Sequence, residues 1–326
     1  MTFLTQYGLF LLKIATLVAA TLVVIGGTLA LIGKQRQPRP TWKLKKLNTH
    51  YQKHSTDLQK QTLTKQDYKN WLKTVKKHRK TQTKPVPRVF VLQFMGDMQA
   101  SNVSELREEI TAIINSARAE DEVVVCLESS GGTIHGYGLA TSQLQRLRDH
   151  KVTLTVIIDK IAASGGYMMA CVAHNIIAAP FAIIGSVGVV SQLPNFNRWL
   201  KKHAIDYEQL TAGEFKRTLT LFGENTSAGR EKMQQELESA HRLFKTLIQQ
   251  HRPQVDLDKI ATGEYWFGTD AMALNLIDTL QTSDDYLLTA SQTRDVFKLS
   301  YHRKKSLTRR LGQNLHQLMH SWRNGF

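Results

Sequence analysis

The 326-residue chain predicts an α/β fold with repeated βαβ units, preceded by one transmembrane helix. Three observations carry this. From residue 89 onward, β-branched runs such as Val152-Thr153-Leu154-Thr155-Val156-Ile157-Ile158 alternate with amphipathic stretches of helical spacing. Strands and helices that alternate in this way build a mostly parallel sheet through right-handed crossovers. Ahead of them, residues 9–32 carry no charge except Lys13.

That first run, 24 residues long, would extend roughly 36 Å as a helix, enough for a hydrocarbon core of about 30 Å. Lys13 lies near its start, where the aliphatic stem can return the ammonium to the interface. A cleaved signal peptide would have a basic start and an apolar region of about 7–15 residues. Residues 1–8 contain no Lys or Arg, and the run after Lys13 is longer than that. Residues 1–33 are therefore read as an uncleaved membrane anchor.

The formal net charge is +16, but it is not spread evenly, because residues 34–88 hold 17 Lys/Arg against 2 Asp/Glu. This segment is poor in apolar side chains and reads as a basic stalk or linker, partly helical at best. Basic residues near a bilayer are each attracted to anionic headgroups by about 1 kcal/mol. A nucleic-acid arm, with Trp42, Tyr51, Tyr68 and Trp71 stacking on bases, is the weaker reading, and nucleic acid is not an expected partner. The basic residues after the anchor place the following domain in the cytoplasm by the positive-inside rule.

Residues 89–290 form the expected folded domain. Residues 88–94 read as a strand, and 102–117 as a helix with Asn102 and Glu105 in capping-box positions and Leu106, Ile110, Ile113, Ile114 and Ala117 on one face. Strands follow at 122–128, 152–158 and 175–179, with a helix over 136–149. Residues 176–190 are apolar, but Pro180, Gly185 and Gly188 interrupt them, which makes them core strand and turn and not a second span. A short strand over 207–211, a long amphipathic helix over 226–252 packing through Met233, Leu237, Leu243, Phe244, Leu247 and Ile248, an aromatic turn over 263–268 and a helix over 270–275 complete the domain. Residues 291–326 are a basic tail with an amphipathic pattern through Leu311, Leu315, Leu318 and Met319, suited to a membrane surface, a neighbouring subunit or solvent. Cys126 and Cys171 sit in apolar runs without metal-ligand spacing and read as core thiols; no metal or other cofactor is expected.

The chemistry centres on Ile161-Ala162-Ala163-Ser164-Gly165-Gly166-Tyr167, which carries a serine out of an apolar strand into an apolar helix. Serine at such a position is also a favoured helix cap. Two following glycines permit close backbone approach, and the free N–H groups of the first helical turn can stabilise an oxyanion. Ser129-Ser130-Gly131-Gly132 is a second strand-end turn, where parallel sheets place reacting groups. Gly213-Glu214-Phe215-Lys216-Arg217-Thr218 puts a lysine on a loop or helix start.

Asp159-Lys160-Ile161-Ala162-Ala163-Ser164-Gly165-Gly166-Tyr167, Ile184-Gly185-Ser186-Val187-Gly188-Val189 and Gly213-Glu214-Phe215-Lys216-Arg217 together resemble the signal peptide peptidase A family of serine proteases, and 89 to about 290 resembles its SohB branch. The resemblance implies a Clp/crotonase-like fold and a serine–lysine dyad. It makes Ser164 the nucleophile, Lys216 the general base, Ser186 the hydroxyl that orients the lysine, and Gly131 and Gly165 the oxyanion N–H donors. It also implies a homo-oligomeric ring acting on peptides or unfolded proteins at the inner membrane, with the domain on the periplasmic side. That side disagrees with the charge rule. The family turn reads Ser-Pro-Gly-Gly, and Ser130 stands here in place of its proline.

A serine hydroxyl becomes a nucleophile when a base takes its proton, and a lysine can do so only when neutral. Near pH 7.4 about one ordinary lysine in a thousand is neutral, a cost of roughly 4 kcal/mol, so Lys216 is expected to be desolvated by neighbours such as Phe215, Leu219, Leu221 and Phe222. A histidine base, from His135 or His203, is the chemical rival. A crotonase-like acyl-CoA enzyme and a non-catalytic membrane scaffold are the readings from other classes.

Overall fold

The apolar N-terminal run lies within one helix, α1 (Thr2–Gln35), in a computed structural model that describes residues 2–35, 41–81 and 86–302. Part of the expected span falls outside the described side chains, and among the described residues no helix is long and apolar enough to cross a membrane. The chain divides into two units, Lys43–Ser300 and one made of Met1–Trp42 with Tyr301–Phe326. The amphipathic helix expected beyond residue 302 lies outside the described residues.

The basic segment is more ordered than its composition suggests. It forms β1 (Thr41–Lys46), α2 (Leu47–Thr62) and α3 (Lys65–Thr81). Leu47 is buried in a cluster with Val89, Val91, Val124 and Val296. Beside it, the Asn48 side-chain amide donates to the carbonyls of Ser291 and Arg294 at 2.8 Å each, and its oxygen accepts from the Val296 N–H at 2.8 Å. These contacts lie within one folded unit, Lys43–Ser300.

The central layer follows the expected alternation. It runs β2 (Arg88–Met95), α4 (Val103–Ile114), β3 (Glu122–Glu128), α5 (Ile134–Asp149), β4 (Thr153–Ile158), β5 (Ile161–Ala163), α6 (Gly165–Ala170), β6 (Asn175–Ala178) and β7 (Ile183–Gly185). Beyond these lie α7 (Asn197–Lys202), α8 (Ser227–His251), α9 (Leu257–Ile260), β8 (Tyr265–Phe267), α10 (Gly268–Ala273), β9 (Thr279–Leu280), α11 (Ser283–Thr293) and β10 (Asp295–His302). The larger sheet has the order β1-β10-β2-β3-β4-β6-β9, and its pairs from β10 to β9 are all parallel. Its inner strands are buried on both faces, which is why they read as unbroken apolar runs. Leu106, Ile110 and Ile113 of α4 and Tyr137, Leu144 and Leu147 of α5 pack into one core with Phe94, Val125 and Leu127.

A second sheet, β5-β7-β8, was not resolved as such by periodicity. Its strands are three residues each, too short to show alternation. β5 and β7 run parallel, and β8, expected as an aromatic turn, pairs antiparallel with β7.

Four further expectations are corrected. The capping box at Asn102 does not form, because Asp97 organises the turn before the helix: it accepts from the Ser101 N–H at 2.7 Å and the Ser101 hydroxyl at 2.6 Å, while Asn102 itself is helical and donates to the Met95 carbonyl at 2.9 Å. Residues 207–211 form no strand, having no neighbour to pair with. Leu243 of α8 is exposed and only Gly229, Phe244 and Ile248 of that helix are buried. Cys171 is buried as expected but Cys126 is only partly so; burial pushes the thiols up to about 12 and about 11, which leaves both protonated.

One ion pair closes the start of β2. Arg88 donates from Nε and Nη2 to the fully buried carboxylate of Asp121, which also accepts from the Arg88 and Arg118 backbone N–H groups. Burial alone would raise the Asp121 carboxyl, but these donors outweigh it and hold it below its ordinary value. A carboxyl depressed in the native state adds stability above its unfolded pKa of about 3.9 and loses that contribution as pH falls through the native value. Asp121→Asn is expected to lower Tm at pH 7, by the equivalent of about 3 kcal/mol for a broken buried pair. It should also flatten the fall of Tm below about pH 4. Thermal melts by circular dichroism from pH 7 to acid check both; parallel curves for the two proteins would contradict the assignment.

Candidate active site

Ser164 closes β5 and precedes α6, but it does not cap that helix. Its backbone sits at φ 51° and ψ −116°, and its side chain makes no capping hydrogen bond. A non-glycine residue in such a conformation stores about 1–3 kcal/mol and persists only where its surroundings enforce it. They do so here: the Ser164 N–H donates to the Gly185 carbonyl at 2.8 Å, and its carbonyl accepts from Met168 at 2.9 Å. The side chain is thus turned out of the capping position and lines a cleft of about 860 Å³ with Ser130, Gly131, Gly132, Ser186 and Gly263.

Ser186 also has a positive φ, 52°, and its N–H donates to the Glu264 carbonyl at 2.6 Å. Both cleft serines hang from the small sheet, Ser164 following β5 and Ser186 following β7, so the parallel pairing Ala163↔Gly185 brings them to the same edge.

The two glycine turns interlock. A Cβ on Gly131, whose φ is +90°, would lie 2.8 Å from the Gly165 nitrogen and 2.8 Å from the Ser164 Cβ. A Cβ on Gly165 would lie 2.4 Å from the Tyr137 ring. Neither position has room for a side chain, and the glycines bring the turn after β3 against the nucleophile candidate.

Behind this contact lies a buried chain of hydroxyls that the sequence reading missed. Tyr137 OH donates to the Asp97 carbonyl at 2.9 Å, so the 2.5 Å bond to Ser129 Oγ has the serine as donor, and Ser129 Oγ in turn accepts from the Gly131 N–H at 3.0 Å. Desolvation raises the Tyr137 phenol although the Ser129 bond opposes it, so it stays protonated and able to donate. The chain fixes the turn without the proline that Ser130 replaces. It also engages the Gly131 N–H, which reaches an oxyanion only by sharing that bond. The Gly132 and Gly165 N–H groups have no acceptor among the described residues.

Lys216 does not meet the expectation of burial beside Ser164. It is exposed, on a turn held by its own N–H to the Gly213 carbonyl at 3.2 Å, and it lines a different hollow with Tyr207, Leu219 and Phe222. The neighbours invoked to desolvate it are themselves open, with Phe215 45%, Leu221 38% and Phe222 41% exposed.

His135 and His203 are exposed and neither lines the Ser164 cleft. His241 of α8 does, and its Nε2 is buried without a hydrogen-bond partner. On sequence it was one polar residue in a long amphipathic helix. The only available signal was its place one turn beyond Glu238 and two beyond Gln234, on one helix face.

Comparison with known proteins gives this arrangement a context. The "Peptidase family S49 N-terminal" description matches residues 2–144 and the "Peptidase family S49" description matches residues 146–297. The chain is 46% identical to the "Probable protease SohB" of Haemophilus influenzae (strain ATCC 51907 / DSM 11121 / KW20 / Rd) over 95% of its length and 92% of that protein's. It is also 46% identical to the "Probable protease SohB" of Buchnera aphidicola subsp. Schlechtendalia chinensis, over 88% of its length and 99% of the relative's. Among solved structures, a ClpP1 mutant from Listeria monocytogenes aligns at 13% identity and a TM-score of 0.39, covering 61% of this chain and 94% of its own. A parallel α/β core, a serine forced into strained backbone at a glycine-lined cleft, and near-full-length similarity to two probable proteases agree: the chain belongs to peptidase family S49 and is a serine-type peptidase.

Proposed function

We propose that the protein is a membrane-anchored endopeptidase in which Ser164 is the nucleophile, Lys216 the general base and Ser186 the hydroxyl that orients the lysine. The observation that carries this reading is the strained Ser164 backbone at the cleft, with Ser186 lining the same wall. A neutral Lys216 amine takes the Ser164 proton as Oγ attacks the scissile carbonyl. The tetrahedral oxyanion is met by the N–H of Gly165 and by the glycine turn, through Gly131 or the unengaged Gly132. The lysine returns the proton to the leaving amine, and water then repeats the sequence on the acyl-enzyme.

Lys216 lies outside the Ser164 cleft of a single chain, so assembly of like chains is part of the proposal. Leu210, 95% exposed, lines the same hollow as Lys216, and Phe196, 46% exposed, packs against Phe222 of that hollow. An apolar surface of this kind is suited to burial against another copy. The same burial would desolvate Lys216 and favour its neutral amine.

The run within α1 that contains Lys13 as its one charge is proposed as an inner-membrane anchor. Extended peptides or unfolded membrane-derived chains are the proposed substrates, since a cleft edged by loops accepts a chain only when it is not folded on itself. The positive-inside rule favours a cytoplasmic domain and the resemblance favours a periplasmic one; activity of a reporter fused after residue 326 distinguishes them. No observation favours the scaffold or acyl-CoA readings.

His241 supports a second reading of the base, because it shares the cleft with Ser164 and its Nε2 is unpartnered. The deciding experiment is casein cleavage by the full chain in detergent. With the lysine base, Lys216→Ala falls by at least about 10³-fold and His241→Ala by much less. The reverse order transfers the role to His241, and an inert parent overturns the endopeptidase reading.

A further inference from the structure

The wall of the Ser164 cleft contributed by α8 has a chemistry that the proposed reaction does not use. Gln234, Leu237, Glu238 and His241 all line the cleft, at the spacing that puts residues on one helix face. Glu238 is the one residue with a formal charge among those lining it, the remainder being glycines, small polar residues and apolar side chains such as Met98 and Val190. Its carboxylate accepts from the Gln234 amide at 3.0 Å and has no cationic partner among the described residues. On the same helix Glu236 is within 4.0 Å of Lys232, and neither it nor Glu231 lines the cleft. One turn further on, His241 presents a buried ring nitrogen with no partner. A buried polar atom without a partner is destabilising, and a ligand that supplies the partner removes that cost.

We infer that this wall is a specificity subsite for a cationic side chain, the lysine or arginine of a polypeptide substrate lying in the cleft. The inference rests on the reading of Ser164 as the nucleophile of an endopeptidase. An ammonium or guanidinium reaches Glu238 as a charge-assisted donor, with the Gln234 carbonyl oxygen beside it. Leu237 covers the aliphatic stem of the cationic side chain, as long basic side chains prefer. His241 closes the inner end of the wall. Substrates with an acidic residue at the same position meet a like charge and are disfavoured.

The test separates binding from cleavage. Full-length Ser164→Ala in detergent is titrated with labelled unstructured peptides that differ only in having lysine, glutamine or glutamate at their central positions, followed by fluorescence anisotropy. The lysine peptide is expected to bind about tenfold more tightly than the glutamine peptide, about 1.4 kcal/mol, with the difference shrinking at high salt. Adding Glu238→Gln should abolish that preference, and Glu238→Lys should transfer it to the glutamate peptide. Equal binding of the three peptides to the parent, or a lysine preference that survives Glu238→Gln, overturns the subsite. Glu238 is exposed and its replacement does not disturb the core, which an unchanged melting curve verifies. Casein cleavage by the Ser164-containing chain reports separately on the endopeptidase reading: if cleavage is absent while the lysine preference follows Glu238, the subsite stands and the reaction assignment falls.

Discussion

Casein cleavage by a Ser164→Ala variant is expected to fall by about 10⁵–10⁶-fold, the loss associated with removing a serine nucleophile from an acyl-enzyme mechanism. Labelling by a serine-directed fluorophosphonate should disappear with it. The methyl group occupies the same φ of 51° and keeps both backbone hydrogen bonds, the N–H to Gly185 and the carbonyl to Met168. Tm should therefore move by no more than about 2 °C. Residual cleavage within tenfold of the parent would mean that another group attacks the peptide bond. An intact melting temperature is essential to the interpretation, because a strained residue is also a place where a substitution could act through stability alone.

Gly131→Ala should also impair turnover, by a different route. The added methyl would lie 2.8 Å from the Gly165 nitrogen, 2.8 Å from the Ser164 Cβ and 2.9 Å from the Ala163 carbonyl oxygen, and its backbone φ is +90°. The turn after β3 has to retreat from Ser164, and with it go the N–H groups proposed to meet the oxyanion. A displacement of about 1 Å costs on the order of 10²-fold in rate, and the backbone strain adds about 1–3 kcal/mol of destabilisation. We expect kcat to drop at least about 100-fold and Tm to fall by several degrees. Gly138→Ala is the control: it lies on α5 with nothing within 4 Å of the added methyl, and in a helix the exchange is worth about 0.5–1 kcal/mol in favour of alanine. Near-parental turnover in Gly131→Ala would remove this turn from the oxyanion site.

The parts of the fold legible in the sequence are those in which burial is written into consecutive residues. β3 appears in the structure with the bounds its valine run implied, and β2, β4 and β6 differ by a residue at an end. Three-residue strands such as β5, β7 and β8 have no period to read. The docking of residues 43–81 was hidden for another reason. Among the described side chains only Leu47 is buried there, and Asn48, a residue that composition assigns to the polar surface, makes the hydrogen bonds beside it. At the site, Ser164, Ser186 and Gly131 line one cleft, whereas Lys216 is exposed and lines a different hollow. The contacts of Ser129, Tyr137 and His241 were not legible, because a single side chain carries no mark in the sequence of what it faces.

The sheet β5-β7-β8 is joined to the larger one through Ser129, whose N–H donates to Ile161 at 2.9 Å and whose carbonyl accepts from Ala163 at 3.0 Å. The larger sheet buries most of the apolar core, while the small one carries both cleft serines. Persistence and turnover are consequently written in different strands. Substitutions in β3 or β4 should register first as lost protein, and substitutions around Gly263 to Trp266 as lost rate in protein that is still abundant. A survey that scores abundance and activity separately would see the chain divide along that seam.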